Sequence, residues 1–299
     1  MTHPIKRRDF LRTAGALGAG LGLAAPLGAR LLAAEATKGA PNAEKLGWRL
    51  SVQAYSFNRF TFFEAVDKTV AVGLRYIQIF PGQQISKTIH AKVDANMTAD
   101  MRKEVLKKLS DSGVKALSFG VGGSDRKHFE FAKEMGLETL VAEPKENEFG
   151  EIDKLCAEYD INLAIHNHPR PSHYWNPDTV LKVCKGRSKR IGSCADTGHW
   201  ARSGLVPLDC IKKLEGRIIC FHFKDLNRLG PETRRHPMHD VPWGTGACDV
   251  KGMLTEIHRQ GLKAEFAIEY EYHWENSVPD MIKCAAYFDQ IATELAAKS

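Results

Sequence analysis

From Trp48 onward the chain alternates short apolar runs with longer stretches whose apolar residues return at helical spacing. Short runs bounded by turn residues read as buried strands, and the 3.6-residue period reads as amphipathic helix. Strand-like runs fall at 50–57 (LSVQAYSF), 75–80 (RYIQIF), 114–121 (VKALSFGV), 137–144 (LETLVAEP), 161–168 (INLAIHNH), 191–196 (IGSCAD), 218–225 (IICFHFKD) and 264–271 (AEFAIEYE). Between two of them, TADMRKEVLKKLSDSG puts Met101, Val105, Leu106 and Leu109 on one helical face, with Gly113 placed to end the helix. The last helical stretch covers 278–297.

Strands that alternate with helices imply βα units and a parallel sheet. Eight such units in about 250 residues predict an α/β chain folded as a single-domain (β/α)8 TIM barrel. A doubly wound sheet fits less well, because no glycine-rich dinucleotide fingerprint follows the first strand. The barrel is assigned to 48–299, after an N-terminal segment at 37–47, and no linker divides it.

Composition changes this picture little: 43% hydrophobic and 26% charged residues exclude collagen-like, disordered and mostly membrane-embedded chains. Residues 1–36 change it more. Lys6, Arg7 and Arg8 precede Asp9, Phe10 and Leu11, then an Ala/Gly/Leu run follows, with the small residues Ala34 and Ala36 near its end. That order predicts an export signal resembling the twin-arginine type, which addresses proteins exported already folded and so a periplasmic location. The run is too short and too weakly apolar to span a bilayer, so no membrane span is expected once the signal is removed. Folding before export suits a protein that takes up its metal inside the cell. Five basic residues against Asp9 and Glu35 mean that removing this segment lowers the formal net charge from +6 to +3. That modest charge is no nucleic-acid footprint. The seven cysteines are odd in number and show no C-x-x-C pair, so buried reduced thiols are expected.

In a barrel of this kind the chemistry sits where strands finish, because only the C-terminal ends open onto a common mouth. Here those ends are polar: Glu143 on the fourth, His166 and His168 on the fifth, Asp196 and His199 on and after the sixth, His222, Lys224 and Asp225 on the seventh, and Glu269 and Glu271 on the eighth. A single strand-end Glu or His usually has a bland role. Five consecutive strands that aim carboxylates and imidazoles at one mouth would repel and desolvate one another, so a positive partner is called for. A divalent cation supplies it, with Asp196 as a hard oxygen ligand and His199 placed to bind substrate or brace the site.

The strand ends VAEP, ADTGH, FHFKD and AIEYE in this order, together with the loop HDVPWGTG at 239–246, resemble the xylose-isomerase-like TIM barrels of the sugar isomerase/epimerase group. The resemblance covers residues 48–298. It implies one divalent metal ion held by Glu143, Asp196, His222 and Glu269, with Mn, Mg or Co favoured by so many carboxylates and Zn also compatible. One departure is Gln78, at the end of the second strand, where many relatives carry Glu.

On that resemblance the expected substrate is a small carbohydrate, with no nucleic-acid partner. A cation in this cage would act as Lewis acid on a sugar carbonyl, and Glu143 and Glu269 are the expected catalytic residues, removing and returning the neighbouring proton through an enediolate. Return of the proton gives epimerisation or isomerisation. Loss of a β group gives elimination, as in dehydratases and in lyases acting on 3-keto sugars or glycosides. His166, His168, His199, Lys224 and Trp243 are expected to bind substrate, with a Lys224–Asp225 pair as an alternative for the lysine. Tyr55, Phe57, Phe80, Trp200 and Trp274 also lie near strand ends, where a ring can stack on a sugar, although packing is the commoner role of each. Gly244 and Gly246 would let a loop backbone approach a ligand. Two rivals remain open: an exported sugar-binding protein without catalysis, and an apurinic endonuclease-like phosphodiesterase.

Overall fold

A computed structural model describes residues 39–233 and 237–297. The expected export signal at 1–36 lies outside the described residues. The described chain forms a closed barrel of eight parallel strands in sequence order: β1 (Arg49–Gln53), β2 (Tyr76–Ile79), β3 (Lys115–Gly122), β4 (Thr139–Ala142), β5 (Asn162–His166), β6 (Ile191–Asp196), β7 (Ile218–Phe223) and β8 (Glu265–Ile268). The (β/α)8 architecture is therefore as the sequence pattern predicts, and β8 closes on β1 with Leu50 opposite Phe266. Several strands are shorter than their apolar runs. The first stops at Gln53 because Ala54–Phe57 turns into a 3-10 helix, its first turn tied by the Gln53 side chain accepting the Tyr55 N–H.

Local signals set the helices. Thr61 and Glu64 cap the helix Phe62–Val72 reciprocally, and Gly73 ends it at φ 89°. The predicted central helix forms over Ala99–Asp111, with Thr98 as its N-cap. Its face is narrower than expected: Val105 and Leu109 are buried, whereas Leu106 is 37% exposed. The last helix, Val278–Ala296, returns to the start of the barrel, where Asp289 Oδ1 accepts the N–H groups of Asn42 and Ala43 at 2.7 and 3.0 Å. Around it, Trp48, Phe266 and Phe288 pack with ring centroids 5.0–5.5 Å apart. Burying each such ring contributes about 2–3 kcal/mol.

Inside the barrel, alternate residues of each strand point to the axis. On the β4–β7 side the middle layer is apolar and small, with Val141, Ala164, Cys194 and Cys220 clustered together. All seven cysteines are free and buried. This narrow plug supports a polar layer above it, at the strand ends. Among the described residues no helix is long and apolar enough to cross a membrane.

Candidate metal centre and active site

Four buried side chains converge at the C-terminal mouth. One ligand atom each from His166, Asp196, His222 and Glu269 lies within 4.8 Å of the others. They come from β5, from β6, from β7 and from just past the end of β8. Asp196 sits opposite His222 in the β6–β7 register, which is why the two reach the same point. His222 Nδ1 is 3.0 Å from Glu269 Oε2 and 3.9 Å from Asp196 Oδ2, and His166 Nε2 is 3.5 Å from Asp196 Oδ2. The atoms His166 Nε2 and His222 Nδ1 are buried and have no hydrogen-bond partner. Unpartnered buried nitrogens are costly unless something fills the gap between them. Two imidazole nitrogens and two carboxylate oxygens form a donor set that fits a divalent metal ion.

Asp196 serves two neighbours at once. Its Oδ1 accepts the His199 N–H at 2.7 Å and caps the short helix Thr197–Arg202, which leaves Oδ2 to face the site. Asn167 clamps its backbone, donating to the Asp196 carbonyl at 3.0 Å and accepting its N–H at 2.9 Å.

Of the four ligands implied by resemblance, the structure brings Asp196, His222 and Glu269 together and sets Glu143 one step back. Glu143 Oε1 accepts from His166 Nδ1 at 3.0 Å, from the His168 N–H at 3.1 Å and from His168 Nδ1. A carboxylate can only accept, so it holds the proton on His166 Nδ1 and turns Nε2 toward the cage. His166 joins two groups: it is one of the buried four, and its ligand atoms also lie within 4.8 Å of those of Glu143 and His168. Burial alone would raise the Glu143 carboxyl, but hydrogen bonds from His166 and His168 outweigh it and hold the group at about 2. Burial likewise works against protonation of His166, yet the Asp196 and Glu143 carboxylates beside it lift its imidazole to about 9.

Lys224 is tied to the carboxylates of the site. It is fully buried, and its Nζ lies 2.8 Å from Asp196 Oδ2, 2.7 Å from Glu269 Oε2 and 3.3 Å from Glu271 Oε2. Its ammonium is held well above the usual lysine value, because those carboxylates outweigh burial. The Lys224–Asp225 pair does not form. Asp225 turns the other way and accepts the N–H groups of Gly244, Gly246 and Cys248 at 2.9, 2.9 and 3.0 Å. The glycines of WGTG therefore serve the protein's own packing: a Cβ on Gly246 would sit 2.3 Å from Asp225 Oδ1.

Trp243, expected at the substrate, is 2% exposed and packs edge-on against Phe223 and Phe288 in the outer core. Phe57 and Trp200 are buried too. Tyr55 instead gathers Phe80 and Trp274 around it at 4.8 and 5.7 Å, all three half-buried. His199 and His168 stack at 5.4 Å beside His166. The sequence reading missed Arg202 and Asp240. Arg202 is nearly buried and reaches Glu271 at 2.8 Å and Asp240 at 3.3 Å, bracing the carboxylate that also contacts Lys224. A D-x-x-H motif followed by an in-phase Arg was the available signal.

Comparison with known proteins agrees with this architecture. A family model described as xylose isomerase-like TIM barrel matches residues 66–288. A solved structure of an uncharacterized protein from Parabacteroides distasonis ATCC 8503 is 31% identical, covering 82% of this chain and 98% of that one, with a TM-score of 0.64. A D-tagatose 3-epimerase-like protein superposes with a TM-score of 0.64 at 18% identity, over 84% of this chain and 99% of that one. Among curated proteins, an inosose dehydratase of Lactiplantibacillus plantarum (strain ATCC BAA-793 / NCIMB 8826 / WCFS1) is 26% identical over 136 residues, 42% of this chain and 44% of the relative. The match thus spans less than half the length of that relative.

Proposed function

The chain belongs to the xylose isomerase-like TIM barrel family, and from that premise we propose that it is a divalent-metal-dependent enzyme of the sugar isomerase/epimerase type, one that removes the proton beside a carbohydrate's carbonyl group. The observation that carries the reading is the buried meeting of His166 Nε2, Asp196 Oδ2, His222 Nδ1 and Glu269 Oε2, with both ring nitrogens unpartnered. When bound there, a divalent ion supplies Lewis acidity for a sugar carbonyl. Two imidazoles in the donor set move the preference from Mg toward Mn, Co and Zn.

The chain's own residues supply the proton handling. Glu143 is the most accessible carboxylate of the ring, with its side chain 22% exposed against 0% for Asp196 and 8% for Glu269. Its hydrogen bonds all fall on Oε1, so Oε2 is left to take a proton from substrate. Glu269 approaches from the other side and is the partner group for return of the proton. Lys224 keeps Asp196 and Glu269 ionised. The half-buried ring of Tyr55, with Phe80 and Trp274, offers apolar faces for the sugar.

A second reading, β-elimination, is favoured by His168. It is 49% exposed and bonded to Glu143, well placed to protonate a departing hydroxyl. The dehydratase among the relatives accords with it. Metal-loaded protein incubated with ketosugars in deuterated water tests the shared first step. Exchange of a C–H next to the carbonyl is expected, and product mass then separates isomerisation from loss of water. Absence of exchange with every ketose and every 3-keto glycoside tried would leave a binding protein instead. We also propose export to the periplasm by the signal at 1–36; replacing both Arg7 and Arg8 with Lys should hold the protein in the cytoplasm, and unchanged export would refute this.

A further inference from the structure

Beneath the ligand ring, the barrel holds a second polar set in which Ser51, Gln53, Gln78, Ser118 and Glu265 are all 4% exposed or less. These residues are joined in a definite direction. Gln78 Oε1 lies 2.5 Å from His222 Nε2, while Gln78 Nε2 donates to Ser118 Oγ at 2.7 Å. Ser118 Oγ donates to Glu265 Oε2 and Ser51 Oγ to Glu265 Oε1, each at 2.7 Å. A branch enters from β1: Gln53 Nε2 donates to Gln78 Oε1 and, at 2.9 Å, to the Gly120 carbonyl, while Gln53 Oε1 accepts the Tyr55 N–H at 3.1 Å.

An amide can be turned end for end, so its neighbours decide its orientation. The Tyr55 N–H can only donate and the Gly120 carbonyl can only accept. Gln53 therefore has one satisfactory orientation, with its nitrogen toward Gln78. Gln78 must answer with its oxygen, and its nitrogen then goes to Ser118, whose hydroxyl is drawn to the acceptor Glu265. That same Gln78 oxygen faces His222 Nε2, so this ring nitrogen carries the proton. A neutral ring protonated on Nε2 leaves its lone pair on Nδ1, and Nδ1 is the atom turned to the site, 3.0 Å from Glu269 Oε2 and 3.9 Å from Asp196 Oδ2.

We propose that Gln53 and Gln78 are positioning residues of the cation site: the backbone of β3 and of the 3-10 helix after β1 orients Gln53, Gln53 orients Gln78, and Gln78 locks His222 as the Nε2–H tautomer whose Nδ1 is ready to bind metal. The proposal rests on the reading of His222 as a metal ligand, and it gives Gln78, the departure at the end of the second strand, a role as tautomer lock. Outer partners of ligating imidazoles typically change metal affinity about 10–100-fold when removed.

The test uses the whole metal-free protein with 15N-labelled histidine, followed by titration with Co2+. In the wild type the His222 ring is expected as the Nε2–H tautomer, and Gln78→Glu, which keeps an acceptor in place, should preserve it. Gln78→Leu and Gln53→Leu should mix or reverse the tautomer and weaken Co2+ binding about tenfold or more, although Gln53 touches neither the ring nor the ion. Circular dichroism checks that each variant folds, and the wild-type tautomer alone decides the matter should the leucine variants fail to fold. A wild-type His222 carrying its neutral-form proton on Nδ1, or a tautomer unmoved by Gln78→Leu and Gln53→Leu, overturns the proposal. A wild-type protein that takes up no divalent ion overturns the metal reading instead, and the tautomer measured on the same sample still decides the positioning role.

Discussion

Replacing Glu265 with Gln should make the protein more stable at pH 8 while leaving it nearly unchanged at pH 4.5. Glu265 starts β8 inside the barrel and is 4% exposed. Its carboxyl is raised from 4.5 to about 7: burial drives the rise, and the hydroxyls of Ser51 and Ser118 and the charge of Arg49 only partly oppose it, while Glu138 adds to it. A folded-state value above the unfolded one means that the native state holds this proton more tightly. The stabilisation is complete below the unfolded value near 4.5 and is lost as pH rises through about 7. At roughly 1.4 kcal/mol per unit, the loss is on the order of 3 kcal/mol by pH 8.

Glutamine keeps the shape and an acceptor for Ser118 but cannot ionise. The measurement is urea unfolding of metal-free wild type and Glu265→Gln at several values between pH 4.5 and 9. The difference between the two curves should open across pH 5–8 and reach about 2–3 kcal/mol in favour of the variant. Asp240, also pushed up to about 7 by burial, titrates in both proteins and cancels in the difference. Parallel curves, or a variant that loses stability equally at every pH, would show that Glu265 is ionised throughout or is not buried as described.

At the mouth, Glu143→Gln and Glu269→Gln should each lower turnover about 100-fold or more, the loss expected for a proton-transfer group, and near-normal rates in both would remove them from the chemistry. His222→Ala should abolish tight binding of Co2+ or Zn2+ in equilibrium dialysis, whereas Trp243→Phe, altered far from the ligand cage, should leave binding unchanged. Lys224→Met should cost the metal-free protein about 3–5 kcal/mol, because Asp196 and Glu269 lose their buried counter-charge, and added divalent ion should recover much of that in thermal unfolding. Asp225→Ala releases three backbone donors of the WGTG loop, so faster hydrogen exchange at Gly244, Gly246 and Cys248 is expected with little change in metal affinity.

The barrel was legible because a parallel strand buried on both faces must be a short apolar run, and the chain repeats that run eight times. The polar strand ends were legible for the same reason, since a carboxylate such as Asp196 closing the run IGSCAD has no place in a core. Whether Glu143 or His166 meets the ion could not be read in this way. Both end neighbouring strands, and which of them lies nearer Asp196 and Glu269 depends on which side chain bends over the other; here Glu143 accepts from both His166 Nδ1 and His168. The buried carboxylate beneath the ligand ring was within reach of a simpler rule. Stepping back by twos from Glu269 along β8 gives Ala267 and then Glu265, and stepping back from His222 along β7 gives Cys220, so a charged residue in the axial layer was already implied.

The glycine between Asp196 and His199 had a cause that only the tertiary structure supplies. A Cβ on Gly198 would lie 2.6 Å from Lys224 Cδ, so the residue is small because a buried lysine stem passes over it. The Asp, Gly and His of this motif and the Lys of the next strand are thus one device: Asp196 caps the helix with one oxygen, faces the cation site with the other, and is kept ionised by a lysine that needs the glycine to reach it. A larger residue at 198 should therefore act through Lys224. Gly198→Val is expected to displace the ammonium from Asp196 and Glu269 and to reproduce the metal-dependent stability of Lys224→Met, with helix capping by Asp196 intact.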